Sequence, residues 1–446
     1  MATNASGVTI SVIGCGYLGA VHAASMAHLG HTVVGIDVDE RKIAMLQRAE
    51  APFFEPGLAE ILADALATGR LTFTTDASQA ARSQVHFVCV GTPQSPDSNA
   101  ADLRYVDAAF ARLLPHVKPG DVVVGKSTVP VGTAARLAAQ LAEQHPAAAL
   151  AWNPEFLREG KAVQDTLRPD RLVYGIDSDS QRGRLACEHL DLVYHQALKA
   201  GTPRIVTDYP TAELVKTAAN SFLATKISFI NAMAEICETV GADVVDLADS
   251  IGYDARIGRQ FLNAGLGFGG GCLPKDIRAF AARADELGVG QSLGFLHEVD
   301  AINLRRRARM VDLASQVCDG SIIGRRIAVL GAAFKPNSDD VRDSPALDVA
   351  AQLSLEGADV VITDPQANRN GSLLRPDLKF VESVEEAAFG ADVIMLLTEW
   401  AEYVALSPDD LSALVSHRRI LDGRNALNPT RWRNAGWTYR ALGRRP

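Results

Sequence analysis

Short runs of apolar, largely β-branched residues alternate along this chain with stretches whose apolar positions recur at helical spacing. The first run, Val8-Thr-Ile-Ser-Val-Ile13, stops at Gly14-Cys-Gly-Tyr-Leu-Gly19, after which Ala20 to Leu29 reads as a helix closed by Gly30. His31-Thr-Val-Val-Gly-Ile-Asp37 is a second strand and Gln84-Val-His-Phe-Val-Cys-Val90 a later one, each followed by a turn and a helical stretch. Strands alternating with helices predict a parallel sheet covered on both faces. The same strand character returns in Arg326-Ile-Ala-Val-Leu-Gly331, Ala358-Asp-Val-Val-Ile-Thr-Asp364 and Ala391-Asp-Val-Ile-Met-Leu-Leu397. Between the two regions, Thr211 to Val240 carries apolar residues at helical spacing with no proline or glycine, which predicts a long central helix. About 30 residues at the α-helical rise span about 45 Å, enough to connect two domains and leave a face for a partner subunit.

Gly14-x-Gly16-x-x-Gly19 follows a strand, opens a helix, and precedes Asp37 at the end of the next strand. In that setting Gly14 makes the tight turn, Gly16 lets the backbone approach a pyrophosphate at the helix N-terminus, and Gly19 permits close packing. Asp37 can bond a ribose diol, and a carboxylate there favours NAD over its 2′-phosphorylated form, a preference softened by Arg41 and Lys42. The expected fold class is α/β, with two Rossmann-like doubly wound parallel-sheet domains joined by a long central helix. The corresponding partition is residues 1–208, 209–310 and 311–446.

Composition narrows the function. The 446 residues are 47% hydrophobic and 22% charged, the balance of an ordinary globular protein. A formal charge of -9 without a run of lysines and arginines argues against a nucleic-acid partner. Met1 to Gly7 lacks the basic and apolar regions of a signal peptide, and no apolar run approaches the roughly 18 residues of a membrane span. Cysteines at 15, 89, 187, 237, 272 and 318 show neither CxxC spacing nor disulfide density, so free thiols in a reducing, cytoplasmic setting are expected.

Two pattern matches are set aside. Gly120-Asp-Val-Val-Val-Gly125-Lys126-Ser127 fits a phosphate-loop expression, but its β-branched interior and Pro130 read as a buried strand. Gly265-Leu-Gly267-Phe-Gly269-Gly270 spells a second dinucleotide turn without a preceding strand, and reads as a mobile or closely approached loop. It leads to Gly271-Cys272-Leu-Pro-Lys275-Asp276, a thiol on a glycine-rich loop with a lysine and a carboxylate close by to tune its ionisation and move protons. The other five cysteines are read as packing. Lys216 and Asn220 share one helix face. Asn153-Pro-Glu155-Phe-Leu-Arg-Glu159 is expected to place two carboxylates on one face of a short helix, as an acid–base pair or as surface glutamates.

Gly14-Cys-Gly-Tyr-Leu-Gly19, Val90-Gly-Thr-Pro93, Lys126-Ser-Thr-Val-Pro130, Asn153 to Glu159, Lys216 with Asn220, Phe268-Gly-Gly-Gly-Cys272-Leu-Pro-Lys-Asp276 and Ala333-Phe-Lys335 through Arg342 occur in this order. Together they make the chain closely resemble the UDP-glucose/GDP-mannose dehydrogenase family over nearly its whole length. Gly271 stands where many members carry serine, and Leu273 where many carry phenylalanine. The resemblance implies an NAD-dependent, four-electron oxidation of a sugar nucleotide's C6 alcohol to a carboxylate. Two hydride losses are separated by capture of the aldehyde on the Cys272 thiolate, and water releases the product from the thioester. Lys216 and Asn220 would stabilise alkoxide-like oxygens. Asp276 and a water positioned by Thr128, with Glu155 or Glu159, would handle protons, the general base remaining unassigned among them; no metal is needed.

By the same resemblance, cofactor contacts fall on Gly14, Cys15, Gly16, Tyr17, Leu18, Gly19, Asp37, Lys42, Thr92, Thr128, Glu159, Lys275 and Arg342. Sugar-nucleotide contacts fall on Glu155, Phe156, Leu157, Lys216, Asn220, Arg256, Phe261, Leu262, Gly265, Phe268, Gly269, Lys335 and Arg424. The Arg256-Ile-Gly258 context resembles the UDP-glucose enzymes, where the arginine reaches the sugar across a subunit boundary, so UDP-glucose and at least a homodimer are implied. GDP-mannose or a UDP-amino sugar, a two-electron hydroxyacid oxidation, and a nucleotide-binding sensor without turnover are the alternatives.

Overall fold

β-branched runs broken by glycine turns build one sheet in each half of the chain. In the computed structural model, which describes residues 7–445, the first sheet contains β1 (Thr9–Ile13), β2 (Thr32–Ile36), β3 (Leu71–Thr74), β4 (Val85–Val88), β5 (Val122–Gly125), β6 (Ala149–Trp152), β7 (Leu172–Gly175) and β8 (Arg204–Thr207), in the order β3-β2-β1-β4-β5-β6-β7-β8. The first six strands are parallel. The expectation of a purely parallel sheet fails at its edge: β7 meets β6 antiparallel through Gly175 and Trp152, and β8 runs parallel to β7. β4, β5, β6 and β7 are buried along their whole length, as strands covered on both faces must be. Ser11, His86 and Asp121 brace the middle of this sheet with hydrogen bonds of 2.7 and 3.2 Å.

The second sheet holds β9 (Arg326–Leu330), β10 (Asp359–Thr363), β11 (Lys379–Phe380), β12 (Val393–Leu396), β13 (Arg419–Asp422) and β14 (Thr438–Ala441), ordered β11-β10-β9-β12-β13-β14. All its pairings are parallel. Its strand order repeats that of the first six strands of the other sheet, the doubly wound arrangement with a topological switch point beside the first strand. The chain divides into two compact units, Met1–Ala219 and Asn220–Pro446.

The helix Tyr209–Val240 is continuous over 32 residues and runs through that division. It begins two residues earlier than the apolar pattern suggests, because Pro210 is tolerated in a first turn whose N–H groups have no intrahelical partner. Asp208 Oδ1 accepts from the Thr211 N–H at 2.8 Å and caps that turn.

Residues 120–127 form the buried strand β5 and its flanks, not a phosphate loop. The short helix expected over 153–159 is absent; this stretch is irregular, and helix resumes only at Ala162–Leu167. Pro154 biases Asn153 toward extended backbone. Glu155 Oε1 then accepts from the N–H groups of Phe156 and Leu157 at 2.8 and 3.0 Å, a local alternative that competes with helix.

Candidate active site

The candidate residues divide between the two units. In the first, β1 delivers the chain to Gly14, whose N–H donates to Ile36 O at 2.8 Å and whose φ of +89° a side chain would strain. A Cβ on Gly16 would meet nothing within 4 Å, whereas one on Gly19 would lie 1.8 Å from Gly14 O. The helix Tyr17–His28 therefore starts with open space above its first turn and no side-chain cap, a fit for the pyrophosphate of NAD. Asp37 Oδ2 accepts from Cys15 N at 2.7 Å and from Lys42 Nζ at 3.0 Å, so the carboxylate at the end of β2 is locked onto the turn. Cys15 itself is buried, and burial pushes its thiol well above the usual range, which suits packing. Thr92 Oγ1 donates to Thr128 O at 2.8 Å, joining two further candidate cofactor residues across neighbouring loops.

Behind these loops lies a buried lysine that the sequence reading named only as part of a motif. Lys126 Nζ sits 3.0 Å from Glu155 Oε2, 3.0 Å from Asn153 Oδ1 and 3.3 Å from Tyr194 OH. Burial alone would lower its pKa; the Glu155 charge, helped by Tyr194 and Cys89, overcomes that and raises it. Burial likewise opposes ionisation of Glu155, but Lys126 and the two backbone N–H groups hold its carboxyl below the ordinary range. Glu155 is thus an ionised anchor with both oxygens engaged, rather than a carboxylate on an open helix face. Phe156, which it fixes, packs beneath the Arg171 guanidinium at 3.8 Å, with Lys216 Nζ 5.6 Å from the ring centroid. Leu157 is half-buried, and Glu159 lies in the turn that follows.

In the second unit Cys272 is exposed and stands at the N-cap of the helix Leu273–Glu286, whose first turn contains Pro274. A helix N-terminus favours the thiolate. One turn on, Asp276 is buried; its N–H donates to Cys272 O at 2.9 Å, and its carboxylate accepts from Asn220 Nδ2 at 2.7 Å and Lys275 Nζ at 2.6 Å. A Cβ on Gly271 would come within 2.3 Å of Arg342 Cζ, the far end of a flexible side chain whose guanidinium also chelates Asp340.

The glycine loop before Cys272 is tied down rather than mobile. Gly265 N donates to Asn231 Oδ1 at 2.9 Å, and Asn303 brackets Phe268 by accepting from its N–H at 2.7 Å and donating to its carbonyl at 2.9 Å. Gly269 has Asp343 O 2.2 Å from where a Cβ would stand. Arg424 donates to the carbonyls of Leu397, Gly267 and Phe334 at 2.7, 3.0 and 3.1 Å, clamping the loop against the segment bearing Lys335. Burial lowers its pKa. Phe261 adopts φ +63° and Leu262 is buried. Arg256 is exposed and pairs with Asp254, while Lys226 Nζ holds the carbonyls of Ile257 and Gly258 at 2.9 and 3.0 Å.

The second sheet's first turn resembles the dinucleotide turn, Gly331 N donating to Thr363 O at 2.8 Å. The likeness extends to the aspartate ending the next strand, which in both turns accepts from the N–H after the glycine, Asp37 from Cys15 and Asp364 from Ala332, each at 2.7 Å. Asp364 differs in taking the Ala333 N–H as well. Asp364 Oδ2 accepts from Ala332 N, Ala333 N and Trp400 Nε1 at 2.7, 3.0 and 3.1 Å, and its Oδ1 from Gln366 N and Ala367 N at 2.9 and 2.8 Å. Asp364, Asn303 and the buried Glu55 are site-shaping residues that sequence reasoning missed; Asp364 alone carried a signal, an aspartate ending a second strand after a glycine turn.

Three family models match the chain: the NAD binding domain of the UDP-glucose/GDP-mannose dehydrogenase family over residues 8–198, its central domain over 210–305 and its UDP binding domain over 328–429. A UDP-glucose 6-dehydrogenase of Rhizobium meliloti is 42% identical over 438 residues, covering 98% of this chain and 99% of the relative. UDP-glucose 6-dehydrogenase TuaD of Bacillus subtilis is 41% identical over 441 residues, 98% of this chain and 93% of its own. Among solved structures, a UDP-glucose dehydrogenase from Pyrobaculum islandicum superposes with a TM-score of 0.89 at 36% identity, covering 100% of this chain and 99% of that one. A UDP-D-ManNAc dehydrogenase from Pyrococcus horikoshii gives 0.85 at 26% identity, covering 98% and 99%.

Proposed function

The chain belongs to the UDP-glucose/GDP-mannose dehydrogenase family, and on that premise we propose that it oxidises the C6 alcohol of UDP-glucose to the carboxylate of UDP-glucuronate. The observation that carries the reading is the exposed Cys272 thiol at the head of a helix whose next turn presents the buried Asp276. The Gly14–Gly19 turn and Asp37 would hold NAD+, which when bound would supply the hydride acceptor for each of two oxidations at C6.

The chain's own groups do the rest. The first oxidation removes the C6 hydride and the hydroxyl proton, leaving an aldehyde. Cys272 Sγ bonds to that carbon, so the half-oxidised sugar stays on the enzyme as a thiohemiacetal. Loss of a second hydride and a second hydroxyl proton gives the thioester. Water adds to its carbonyl, the C–S bond breaks, and the acid leaves with the thiol restored. Lys216 and the Nδ2 of Asn220 stabilise the negative oxygen that develops at these stages. Asp276, held by Lys275 and Asn220, moves protons at the sulfur, and Glu159 with Thr128 positions the water. Glu155 is assigned to anchoring Phe156 and Leu157 beneath the sugar nucleotide, because both its oxygens are already engaged.

The remaining sugar-nucleotide contacts are assigned to Arg256, Phe261, Leu262, Gly265, Phe268, Gly269, Lys335 and Arg424, and Arg342 and Lys275 to the cofactor. A homodimer supplies Arg256 across the subunit boundary. Phe222, Phe229 and Ile236 are exposed and recur every seven residues along the helix Tyr209–Val240, an apolar row suited to a second copy of the same helix. Among the described residues no helix is long and apolar enough to cross a membrane; the free thiols support a reducing, cytoplasmic setting.

Stoichiometry tests the function. Two NADH per UDP-glucose, with no free aldehyde, are expected; one NADH and a released aldehyde would contradict the covalent four-electron route. Parallel assays with GDP-mannose and UDP-N-acetylmannosamine test the sugar, and 1:1 turnover of a small hydroxyacid would favour the two-electron alternative.

A further inference from the structure

Glu55 takes no part in the chemistry above, yet it is a carboxylate only 5% exposed. Its Oε2 accepts from Gly160 N at 2.7 Å and from the Tyr17 hydroxyl, and its Oε1 from Ala162 N at 2.7 Å. Gly160 N lies 3.2 Å from the Tyr17 oxygen as well, closing the knot. Burying a carboxylate is costly unless charge-assisted hydrogen bonds replace its hydration, and three donors do so here. Each donor comes from a different piece of the first unit's candidate site: Tyr17 from the dinucleotide turn, Gly160 from the residue after Glu159, and Ala162 from the first turn of a helix whose own N-cap residue, Lys161, offers no side-chain cap. Burial and then the Glu55 contact raise the Tyr17 pKa strongly, so its hydroxyl stays protonated and remains a donor. The Tyr17 ring is steadied against Phe53, with centroids 4.6 Å apart.

We infer that Glu55 is a positioning residue of the cofactor site, fixing the spacing between the glycine turn and the loop that carries Glu159. The inference rests on the reading that NAD+ binds at that turn. A carboxylate is required because all three partners are donors; an amide would turn an NH2 group onto one of them. The neighbouring sugar-nucleotide segment, Glu155 to Leu157, has its own anchor in Lys126 and its own backbone N–H groups, so disturbing Glu55 acts on one ligand and spares the other.

The test is calorimetric titration of NAD+ and, separately, UDP-glucose into the full chain, its Glu55→Gln variant and its Tyr17→Phe variant, with turnover of the unaltered chain measured alongside. Loss of a charge-assisted bond in Glu55→Gln is expected to weaken NAD+ by about tenfold or more, and loss of the Tyr17 hydroxyl by about threefold, with UDP-glucose affinity held within about twofold. Unchanged NAD+ affinity in Glu55→Gln, or equal losses for both ligands, overturns the inference. Should Glu55→Gln fail to fold, a folded Tyr17→Phe that binds NAD+ as tightly as the parent overturns it instead. NAD+ binding without oxidation of UDP-glucose would sink the proposed function while leaving the role of Glu55 to stand or fall on the titrations.

Discussion

Asn220 and Asp276, 56 positions apart, are joined by a 2.7 Å hydrogen bond from the amide of one to the carboxylate of the other. The bond fixes a buried anion one turn beyond Cys272 and orients the asparagine's second N–H. Replacing Asp276 by Asn removes the carboxylate that accepts from both Asn220 and Lys275. A fall in kcat of about 10² to 10⁴ is expected, the range for removing a proton-transfer group. A kcat equal to the parent's would remove Asp276 from the proton path.

Cys272→Ala deletes the proposed nucleophile while leaving both proposed ligand sites intact. It should bind NAD+ and UDP-glucose within about twofold of the parent yet lose turnover by at least about 10³-fold, as enzymes do when a covalent nucleophile is removed. Mass spectrometry of the parent under quenched turnover should find the sugar nucleotide attached at Cys272. Full activity in the alanine variant would end the covalent mechanism.

Lys126→Met removes the cation from a mostly buried pair and strands Glu155. Destabilisation of about 3 kcal/mol is expected, near the low end for a broken buried pair because two backbone N–H groups still serve the carboxylate. The sign with pH follows from the shifts. Glu155 is depressed, so its contribution is present above the ordinary carboxylate range and lost as pH falls through its folded value. Lys126 is raised, so its contribution is complete below its ordinary value and lost as pH rises through the folded one. Denaturant midpoints of parent and variant should differ most near neutrality and converge at both extremes.

His22 is fully buried with neither ring nitrogen hydrogen-bonded, and burial, followed by the Lys126 and His31 charges, lowers its pKa well below the usual value. The folded state therefore refuses a proton that the unfolded chain accepts. Its contribution to stability is intact above about pH 6.5 and declines on acidification below that. His22→Leu should be neutral or stabilising at pH 7 and should flatten the loss of stability between about pH 6.5 and 5. An unaltered slope in urea titrations would assign the acid sensitivity elsewhere.

Phe229 lies mid-row on the exposed apolar stripe of the helix Tyr209–Val240. Phe229→Glu places a charge where the proposed dimer would bury a ring. Sedimentation should show a dimer for the parent and a monomer for the variant, and monomers should lose activity that depends on the partner's Arg256. A parent that sediments as a monomer would refute the interface.

Local patterns carried much of the architecture. Val8 to Gly19 announced a strand, a turn and a helix because each step depends on residues adjacent in sequence, and Cys272 stood out because glycines surround it. The stretch 153–159 misled, since two glutamates at helical spacing outweighed the capture of backbone N–H groups by Glu155. Glu55 was invisible for a different reason: its partners lie 38, 105 and 107 residues away, and nothing near Glu55 hints at them. Lys126 read as part of a strand flank, because its pairing with Glu155 exists only once β5 and β6 lie side by side. The reversed pair β7 and β8 escaped notice since strand direction leaves no mark on composition.

A molecule with two look-alike sheets must sort its ligands correctly. Both turns give the N–H after the glycine to an aspartate; the second differs in that Asp364 also takes the Ala333 N–H, and in that Ala333 carries a methyl group where the first turn has the bare Gly16. One extra hydrogen bond and one methyl group thus separate two turns of otherwise common design, a small local difference on which the sorting of coenzyme between them can depend.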